Sequence, residues 1–379
     1  MTSAKSPRFD RPLHVGRPNT SRKEAFLELA SQALDRHWLS NDGPLVREFE
    51  ATVAEFLNVK HCIAITNGTI AIEILIKAAG LSGEVIVPSW TFVATAHALQ
   101  WHGITPVFAD VDPETHCLDP ESVREKINDK TTGILAVHLW GRGAPVEELQ
   151  DLADEHGLTL LFDAAHAFGV SIAGTMVGNF GRAEILSFHA TKFFNAIEGG
   201  AIVTNDDELA SQARLMRNFG FTGEDSVATV GTNGKMTEIS AAMGLANFDS
   251  LGELVETNKA HYETYRNALD PLPGLRVLEI DAAERSNYQY VVLLVDERCP
   301  VSRDELLAVL RSNNVLARRY FWPACLRMEP YKTTQPDVGL TLVNTERVSE
   351  SVIVLPTGTS MSSSDVKAVC ELIAETVNV

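Results

Sequence analysis

Short apolar runs alternate with amphipathic stretches between about residue 60 and residue 205, and this alternation restricts the fold more than any other feature of the sequence. The apolar runs are continuous rather than alternating in polarity: HCIAIT, EVIVPS, TPVFADVD, GILAVHLWG, TLLFDAA, ILSFHA and GGAIVTND. Continuous apolar strands are typical of parallel sheets that helices cover on both faces. The sequence therefore predicts an α/β fold with a large mixed sheet that is mostly parallel.

The pattern changes after about residue 250. The helical stretch LVETNKAHYETYRNALD is followed by the turn PLPG, the strand YQYVVLLVD and the helix SRDELLAVLRSNN. A chain of 379 residues is expected to form roughly two domains. We therefore expect residues 1–250 to form the larger domain, with the N-terminal segment, and residues 251–379 to form a smaller α+β domain.

Acidic residues outnumber basic ones, 50 to 32, which gives a formal charge of -18. Such a surface repels nucleic acid and anionic membranes, so any bound phosphate needs a local group of donors. Five cysteines without CxxC spacing indicate neither a disulfide framework nor a zinc cluster, and no metal is expected. Without a signal-peptide pattern or an apolar run of the ~20 residues that cross a bilayer, we expect a cytoplasmic protein.

The segment SFHATKFFNAIEGGAIVTND places Lys192 between an apolar strand and a Gly-Gly turn. A lysine in such a loop is most often simply solvated. Asp163, 29 residues earlier, ends the apolar strand TLLF, where open α/β sheets bind ligands, although it could equally cap a turn. His166 could support Asp163 or contact a ligand, or be an ordinary loop histidine.

A phosphate site is suggested by Asn67-Gly68-Thr69, which begins a helix directly after HCIAIT. Free backbone N–H groups and the positive end of the helix suit a dianion, although the same tripeptide can be a plain helix cap. Ser187 could add a hydroxyl group. Phe92 could cover one face of a planar ring, although core packing explains a phenylalanine there as well.

Together these motifs resemble the DegT-type nucleotide-sugar aminotransferases, members of the fold type I pyridoxal 5'-phosphate (PLP) enzymes. The resemblance covers nearly the whole chain, and the order and joint presence of its motifs are highly specific. The overall pattern is most similar to the 4-aminotransferases that act on dTDP-4-keto-6-deoxyglucose. The motifs are WLSNDGPLVREFE, TNGT, VPSWTFVATAHAL, PVFADVDPETHCLDP, VHLWG, FDAAHAFG, SFHATK with EGGAIVTND, RNFGF, GTNGKMTE and LPTGT.

The resemblance implies roles for individual residues. Lys192 is the lysine that binds PLP as a Schiff base, the internal aldimine, and Asp163 pairs with the pyridine nitrogen. Asn233, in GTNGKM, matches an asparagine that reaches into the neighbouring subunit's site, so a homodimer with shared active sites is implied. The other cofactor contacts that it implies are Gly68, Thr69 and Ser187 at the phosphate and Phe92 on the ring face. His166 is a further candidate, which could contact the ring's oxygen.

A nucleotide diphosphate in so acidic a protein requires local cations. The candidates for this substrate contact are Arg17, Lys235, Arg318 and Arg319. The chain departs from the family pattern after WPAC, because Leu326 stands where relatives commonly have a histidine. This departure concerns the sugar or nucleotide contacts and leaves the PLP chemistry unchanged.

The predicted reaction is a two-stage transamination. L-Glutamate leaves its amino group on the cofactor as pyridoxamine phosphate, and the C4 ketone of dTDP-4-keto-6-deoxy-D-glucose then receives it. The product is a dTDP-4-amino-4,6-dideoxy sugar for a natural product or polysaccharide, and Lys192 moves the protons.

Three alternatives stay open at this point. The same fold could aminate a 3-keto nucleotide sugar or a cyclitol ketone. Sugar dehydration is a second alternative, but relatives with that activity replace the lysine with histidine, and this chain has Lys192. A non-enzymatic regulator is the third, although no added DNA-binding segment is visible in the sequence. No motif records whether the new amine is axial or equatorial.

Overall fold

The structure is a computed structural model that describes residues 6–20, 22–336 and 341–378. Its N-terminal part contains one short strand and two helices. These are β1 Leu13–His14, α1 Lys23–Asp35 and α2 Pro44–Leu57. Helix α2 begins with a proline, whose fixed φ suits the first helical position. The next two N–H groups, of Leu45 and Val46, donate to the buried carboxylate of Glu238 at 3.0 and 2.8 Å. A carboxylate from a distant segment therefore caps this helix.

A seven-stranded sheet follows the predicted alternation. Its strands lie in the order β2-β10-β9-β6-β5-β3-β4; β10 is antiparallel to both neighbours, and the other pairings are parallel. The predicted mixed, mostly parallel sheet is confirmed. The elements in chain order are β2 His61–Ile65, α3 Gly68–Ala78, β3 Glu84–Pro88, α4 Ala94–Trp101, β4 Thr105–Ala109, α5 Pro120–Lys126, β5 Thr131–Val137, α6 Val146–His156, β6 Thr159–Asp163, the hairpin β7 Ser171–Ile172 and β8 Thr175–Met176, β9 Ala183–Ser187, β10 Gly200–Thr204 and α7 Asp207–Arg217.

Strand β2 shows why the apolar runs are continuous. Successive side chains of a strand point to opposite faces of the sheet. Ile63 and Ile65 belong to a buried cluster that includes helix α3, whereas Cys62 and Ala64 belong to a second cluster that includes Phe49 of α2. Because helices cover both faces, every position from Cys62 to Ile65 is apolar.

The C-terminal part contains a three-stranded antiparallel sheet in the order β13-β14-β16. Side chains of α9, α10 and α13 share one buried cluster with its strands, including Tyr265, Leu306 and Ile373. This α+β arrangement agrees with the prediction, and the domain division at residue 250 stays a prediction. The elements are β11 Phe221–Gly223, β12 Ser226–Val227, α8 Glu238–Phe248, α9 Leu251–Leu269, β13 Leu275–Val277, β14 Val291–Val295, α10 Arg303–Ser312, β15 Val315–Leu316, α11 Tyr331–Thr334, α12 Val343–Ser351, β16 Val352–Leu355 and α13 Ser363–Val377.

The N-terminal segment packs against this C-terminal part. Strand β1 pairs in parallel with β15, with Leu13 opposite Val315. Arg8 forms ion pairs with Glu371 and Glu375 of α13 at 2.7 and 2.8 Å. Between these contacts and α1, Gly16 lies beside Thr191 of the loop that carries Lys192. None of the helices in the described ranges is both long and apolar enough to cross a membrane.

Candidate active site

Asp163 ends β6, a central strand of the large sheet, and the residue is 5% exposed. Thr95 Oγ1 donates to Asp163 Oδ2 at 2.8 Å, and the N–H of Ala165 donates to Oδ1 at 3.1 Å. Burial raises the pKa of the Asp163 carboxyl, while these two hydrogen bonds and the charge of Lys192 oppose that rise. The carboxylate is thus fixed in orientation at the carboxyl end of the strand.

Lys192 lies half-buried on the loop between β9 and β10. Burial lowers the pKa of its amine to about 8, and the nearby Asp163 carboxylate opposes the shift. Within the described residues no side chain accepts a hydrogen bond from Lys192 Nζ. A substantial fraction of this amine is therefore neutral near pH 8, as a nucleophile or a general base requires.

His166 is enclosed by aromatic rings and is 6% exposed. Its imidazole stacks nearly parallel to Phe321 at 5.8 Å and to Trp140 at 6.2 Å, and meets the edge of Tyr290 at 4.7 Å. Burial, with the charge of Lys192, holds the pKa of His166 well below its usual range. Its buried Nδ1 has no hydrogen-bond partner in the described part of the chain, which points to a polar group of a ligand.

The N-terminus of α3 also lines this cavity. Asn67 Oδ1 caps the helix by accepting the N–H of Ile70 at 2.9 Å. The first helical residues, Gly68 and the exposed Thr69, line the cavity together with Ser187. A side chain on Gly68 would come within 3.1 Å of Ser187 Cβ. The site therefore offers helix N–H groups and hydroxyls at a position where the missing side chain of Gly68 leaves room beside Ser187.

This cavity has a volume of about 570 Å³. The ring of Phe92 is 55% exposed on its wall, so core packing does not account for this phenylalanine. The residues that the sequence singled out and that the cavity brings together are Gly68, Thr69, Phe92, Asp163, His166, Ser187, Lys192 and Arg318.

Four other predicted residues, Lys235, Arg17, Asn233 and Arg319, lie outside this cavity. Lys235 lines a separate cavity of about 180 Å³ and donates to Asn218 Oδ1 at 3.1 Å. Arg17 and Asn233 are exposed and line neither cavity. The proposed reach of Asn233 into a partner subunit stays a prediction.

Arg319 lines an adjoining cavity of about 340 Å³. Its guanidinium pairs with Asp304 at 3.1 Å and lies 3.9 Å from the centre of the Trp322 ring. Leu326 is buried nearby, and its N–H donates to Ser89 Oγ at 3.1 Å. At this position the chain therefore offers an apolar side chain in place of an imidazole.

The lining residues fit PLP by their chemistry. A buried carboxylate suits a protonated pyridine nitrogen, a half-buried lysine suits an aldehyde, and a helix N-terminus with hydroxyls suits a phosphate. The partnerless Nδ1 of His166 and the space that Gly68 leaves open are both consistent with a bound planar ligand.

Sequence reasoning missed several side chains of the site. Thr95, which fixes Asp163, gave no signal beyond its place in VPSWTFVATAHAL. The aromatic wall formed by Tyr290, Tyr320 and Phe321 comes from two segments after residue 280. Only the tertiary structure brings these rings to the carboxyl end of the large sheet.

We expect Gly68→Ala to weaken PLP binding about tenfold, or ~1.4 kcal/mol, because the added methyl group crowds Ser187. Helix propensity favours alanine and the crowding of Ser187 opposes it, so the free energy of unfolding should change by less than about 1 kcal/mol. The measurement is a PLP titration followed by absorbance. Gly252→Ala is the matched control, since a side chain there meets no atom within 4 Å. Wild-type PLP affinity in Gly68→Ala would count against this phosphate site.

Comparisons with known proteins point to aminotransferases. The sequence model of the DegT/DnrJ/EryC1/StrS aminotransferase family matches residues 20–374. A dTDP-4-amino-4,6-dideoxy-D-glucose transaminase from Shigella dysenteriae is 34% identical over 369 residues, which cover 97% of this chain and 100% of that protein. A GDP-perosamine synthase from Vibrio cholerae is 32% identical over 355 residues, 92% of this chain and 95% of that one.

Among solved structures, that of DesI in the presence of its TDP-sugar product is similar throughout. It shares 46% sequence identity and a TM-score of 0.93, over 98% of this chain and 94% of DesI. The structure of 3-amino-5-hydroxybenzoic acid synthase is also similar, at 26% identity and a TM-score of 0.88, over 99% and 100% of the two chains.

Proposed function

Because the chain belongs to the DegT/DnrJ/EryC1/StrS aminotransferase family, we propose that it transfers an amino group from L-glutamate to C4 of dTDP-4-keto-6-deoxy-D-glucose. The products are a dTDP-4-amino-4,6-dideoxy sugar and 2-oxoglutarate. The observation that carries the proposal is that the Lys192 cavity shares a wall with an arginine-lined cavity. Two relatives support the choice of substrate. One is named a dTDP-4-amino-4,6-dideoxy-D-glucose transaminase, and the structure of the other, DesI, is described in the presence of its TDP-sugar product.

The cofactor of this family is PLP, and the cavity residues would hold it as follows. Lys192 would bind it covalently between turnovers, and Phe92 would cover one face of the ring. Gly68, Thr69 and Ser187 bind the phosphate through helix N–H groups and hydroxyls. When bound, PLP supplies an electron sink for the carbon that bears the transferred amine.

Asp163 keeps that sink effective. Its carboxylate would accept a hydrogen bond from the protonated pyridine nitrogen, and its negative charge would hold that proton in place. Thr95 and Ala165 already direct both carboxylate oxygens, so the group needs little reorganisation during turnover. His166, kept neutral by burial, places its free Nδ1 toward a polar group of the ligand.

Lys192 transfers the protons. The freed Nζ, neutral in part because burial lowers its pKa to about 8, accepts the proton from the α-carbon of L-glutamate. In the second half-reaction the same nitrogen delivers a proton to C4 of the sugar. The amine needs no other base in the cavity, because its flexible stem lets it reach both carbons in turn.

The two cavities suit the two ends of a nucleotide sugar. Thr91, Phe92, Arg318, Tyr320 and Phe321 line both of them. We infer that the sugar lies beside Lys192 and the diphosphate beside the arginines. A guanidinium group binds phosphate oxygens through two parallel hydrogen bonds, which is the local donor set that so acidic a protein requires.

We expect Arg318→Met to weaken dTDP binding by about tenfold to hundredfold, the equivalent of about 1.5 to 3 kcal/mol for a charged hydrogen bond, and to raise the KM for the sugar nucleotide by a similar factor. Arg318 has no carboxylate partner within the described ranges, and its guanidinium lies 4.9 Å from the Tyr320 ring centre, so it is available to a ligand. The check is calorimetric titration of the enzyme with dTDP.

Arg298→Met is the matched control, because Arg298 is an exposed arginine that pairs with Asp296 instead. It should leave dTDP affinity unchanged. If Arg318→Met also binds dTDP with wild-type affinity, the diphosphate does not lie beside Arg318 and the placement of the nucleotide is wrong.

The assembly belongs to the same proposal. We propose a symmetric homodimer in which Asn233, and Lys235 beside it, act in the partner's site. Exposed apolar side chains near these residues, Phe219, Phe221 and Val230, support an interface on this surface. Arg17 stays a candidate for the nucleotide, and we propose a cytoplasmic location.

A substrate panel tests the reaction. The enzyme with PLP and L-glutamate is offered a 4-keto, a 3-keto and a cyclitol ketone substrate, and amination is followed by mass spectrometry. The proposal predicts the highest kcat/KM for dTDP-4-keto-6-deoxy-D-glucose. A higher value for the 3-keto sugar or the cyclitol would replace the substrate and keep the aminotransferase chemistry.

A further inference from the structure

The backbone that follows Lys192 is held by a row of buried asparagines. Asn19 Nδ2 donates to the carbonyl of Phe193 at 2.7 Å, and Asn195 Nδ2 donates to the carbonyl of Asn19 at 2.9 Å. Asn247 Nδ2 in turn donates to the carbonyl of Asn195 at 2.9 Å. All three asparagines are between 1% and 3% exposed. We call Asn19, Asn195 and Asn247 the asparagine ladder.

The ladder joins the lysine loop to distant parts of the chain. Asn247 lies on α8, and Asn19 lies in the N-terminal segment that passes the loop. Asn19 Oδ1 accepts hydrogen bonds from the N–H and the hydroxyl of Thr359, at 3.2 and 2.6 Å. At Gly16 the N-terminal segment lies so close to the lysine loop that a Cβ there would be 3.1 Å from Thr191 Cβ. The loop is therefore fixed from several directions.

The chemistry of the loop explains why asparagine is used. The carbonyls of Phe193 and Asn195 lie between β9 and β10, outside the hydrogen-bond ladder of the sheet. A buried carbonyl without a donor is costly, and an amide side chain can donate and accept at the same time. Asn195 does both, because its Oδ1 also accepts the N–H of Ile197 at 3.3 Å.

We propose that the asparagine ladder positions Lys192. It fixes the backbone directly after the lysine, so that Nζ stays within the cavity beside Asp163 and away from bulk water. The three asparagines are positioning residues, because none of them lines the Lys192 cavity. The inference rests on the proposed function only in that Lys192 is the catalytic amine.

Asn247→Ala tests the asparagine ladder at its last member, because Asn247 is the third asparagine counted from Phe193. The pKa of Lys192 is measured on the full chain without cofactor. The extent of acetylation of Lys192 by a limiting amount of reagent is determined by mass spectrometry at a series of pH values. We expect this pKa to rise from about 8 toward its ordinary value of 10.5, because a loosened loop admits water. With PLP bound, kcat should fall on the order of 10- to 100-fold, as for a misplaced catalytic group, while the KM for the sugar changes less than about twofold.

Two further variants keep the test decisive. Thr359→Val removes one hydroxyl contact to Asn19 at an exposed position, and should shift the Lys192 pKa in the same direction by less. Asn179→Ala is the control: this partly buried asparagine also donates to two backbone carbonyls, but far from the lysine loop. It should lower the melting temperature without changing the Lys192 pKa or kcat.

Wild-type values of the Lys192 pKa and kcat in both Asn247→Ala and Thr359→Val would overturn the inference. That outcome differs from a failure of the proposed function, in which replacement of Lys192 itself would leave turnover intact.

Discussion

Lys192→Ala is expected to lose turnover by on the order of 10⁵- to 10⁶-fold, comparable to removal of a catalytic nucleophile in other enzymes. The chain then lacks both the amine that holds PLP and the base that moves protons between carbon atoms. The purified variant should also lack the visible absorption band of lysine-bound PLP. Steady-state assays and an absorbance spectrum of the dialysed protein measure the two effects separately.

Lys130→Ala is a suitable control, because that lysine has a side chain 76% exposed and directly precedes β5, at the opposite end of the strand from the carboxyl ends that line the site. It should keep both the band and the activity. A Lys192→Ala variant with full activity would remove the basis of the mechanism, since no other lysine lines the cavity within the described residues.

Asp163→Asn should bind PLP and still lower kcat by about 10²- to 10³-fold, as does the loss of a preorganised charge in other active sites. The amide has nearly the same shape as the carboxylate and can still accept from Thr95 or Ala165. It lacks the negative charge that keeps the pyridine nitrogen protonated, so the ring withdraws electrons less strongly. Stopped-flow measurement of the reaction with L-glutamate isolates this step.

Asp110→Asn provides a comparison with another buried aspartate. Asp110 accepts the N–H groups of Asn344 and Thr345 at 2.9 and 2.7 Å, and so caps α12. Its replacement should reduce the free energy of unfolding by about 1 kcal/mol and leave the glutamate reaction unchanged. If Asp163→Asn reacted with glutamate at the wild-type rate, Asp163 would not be the partner of the pyridine nitrogen.

The large sheet and the two central residues of the site, Lys192 and Asp163, could be predicted from the sequence for a physical reason. Strands covered on both faces must be apolar throughout, as the two clusters on either side of β2 illustrate. Parallel strands end at the same edge of a sheet, so polar residues that follow them, such as Asp163, meet there. An apolar run carries no sign of its direction, and the antiparallel course of β10 could not be predicted.

Contacts between distant segments could not be predicted from the sequence, because they depend on the tertiary fold. Asn19 and Asn247 lie far from Lys192 along the chain, and each looks like an ordinary polar residue until the fold brings it beside the lysine loop. Arg318 and Arg319 are adjacent in sequence, yet Asp304 pairs with Arg319, and no described carboxylate pairs with Arg318. Such distinctions depend on tertiary packing, which no local pattern records.

Transfer of a labelled amine tests the central claim most directly. The enzyme is incubated with PLP, L-glutamate labelled with ¹⁵N and dTDP-4-keto-6-deoxy-D-glucose, and the sugar nucleotide is examined by NMR. Our account predicts ¹⁵N bonded to C4 of the sugar, at a rate that Lys192→Ala abolishes. Label at another carbon, or no label in the sugar while glutamate is still converted to 2-oxoglutarate, would contradict amination at C4.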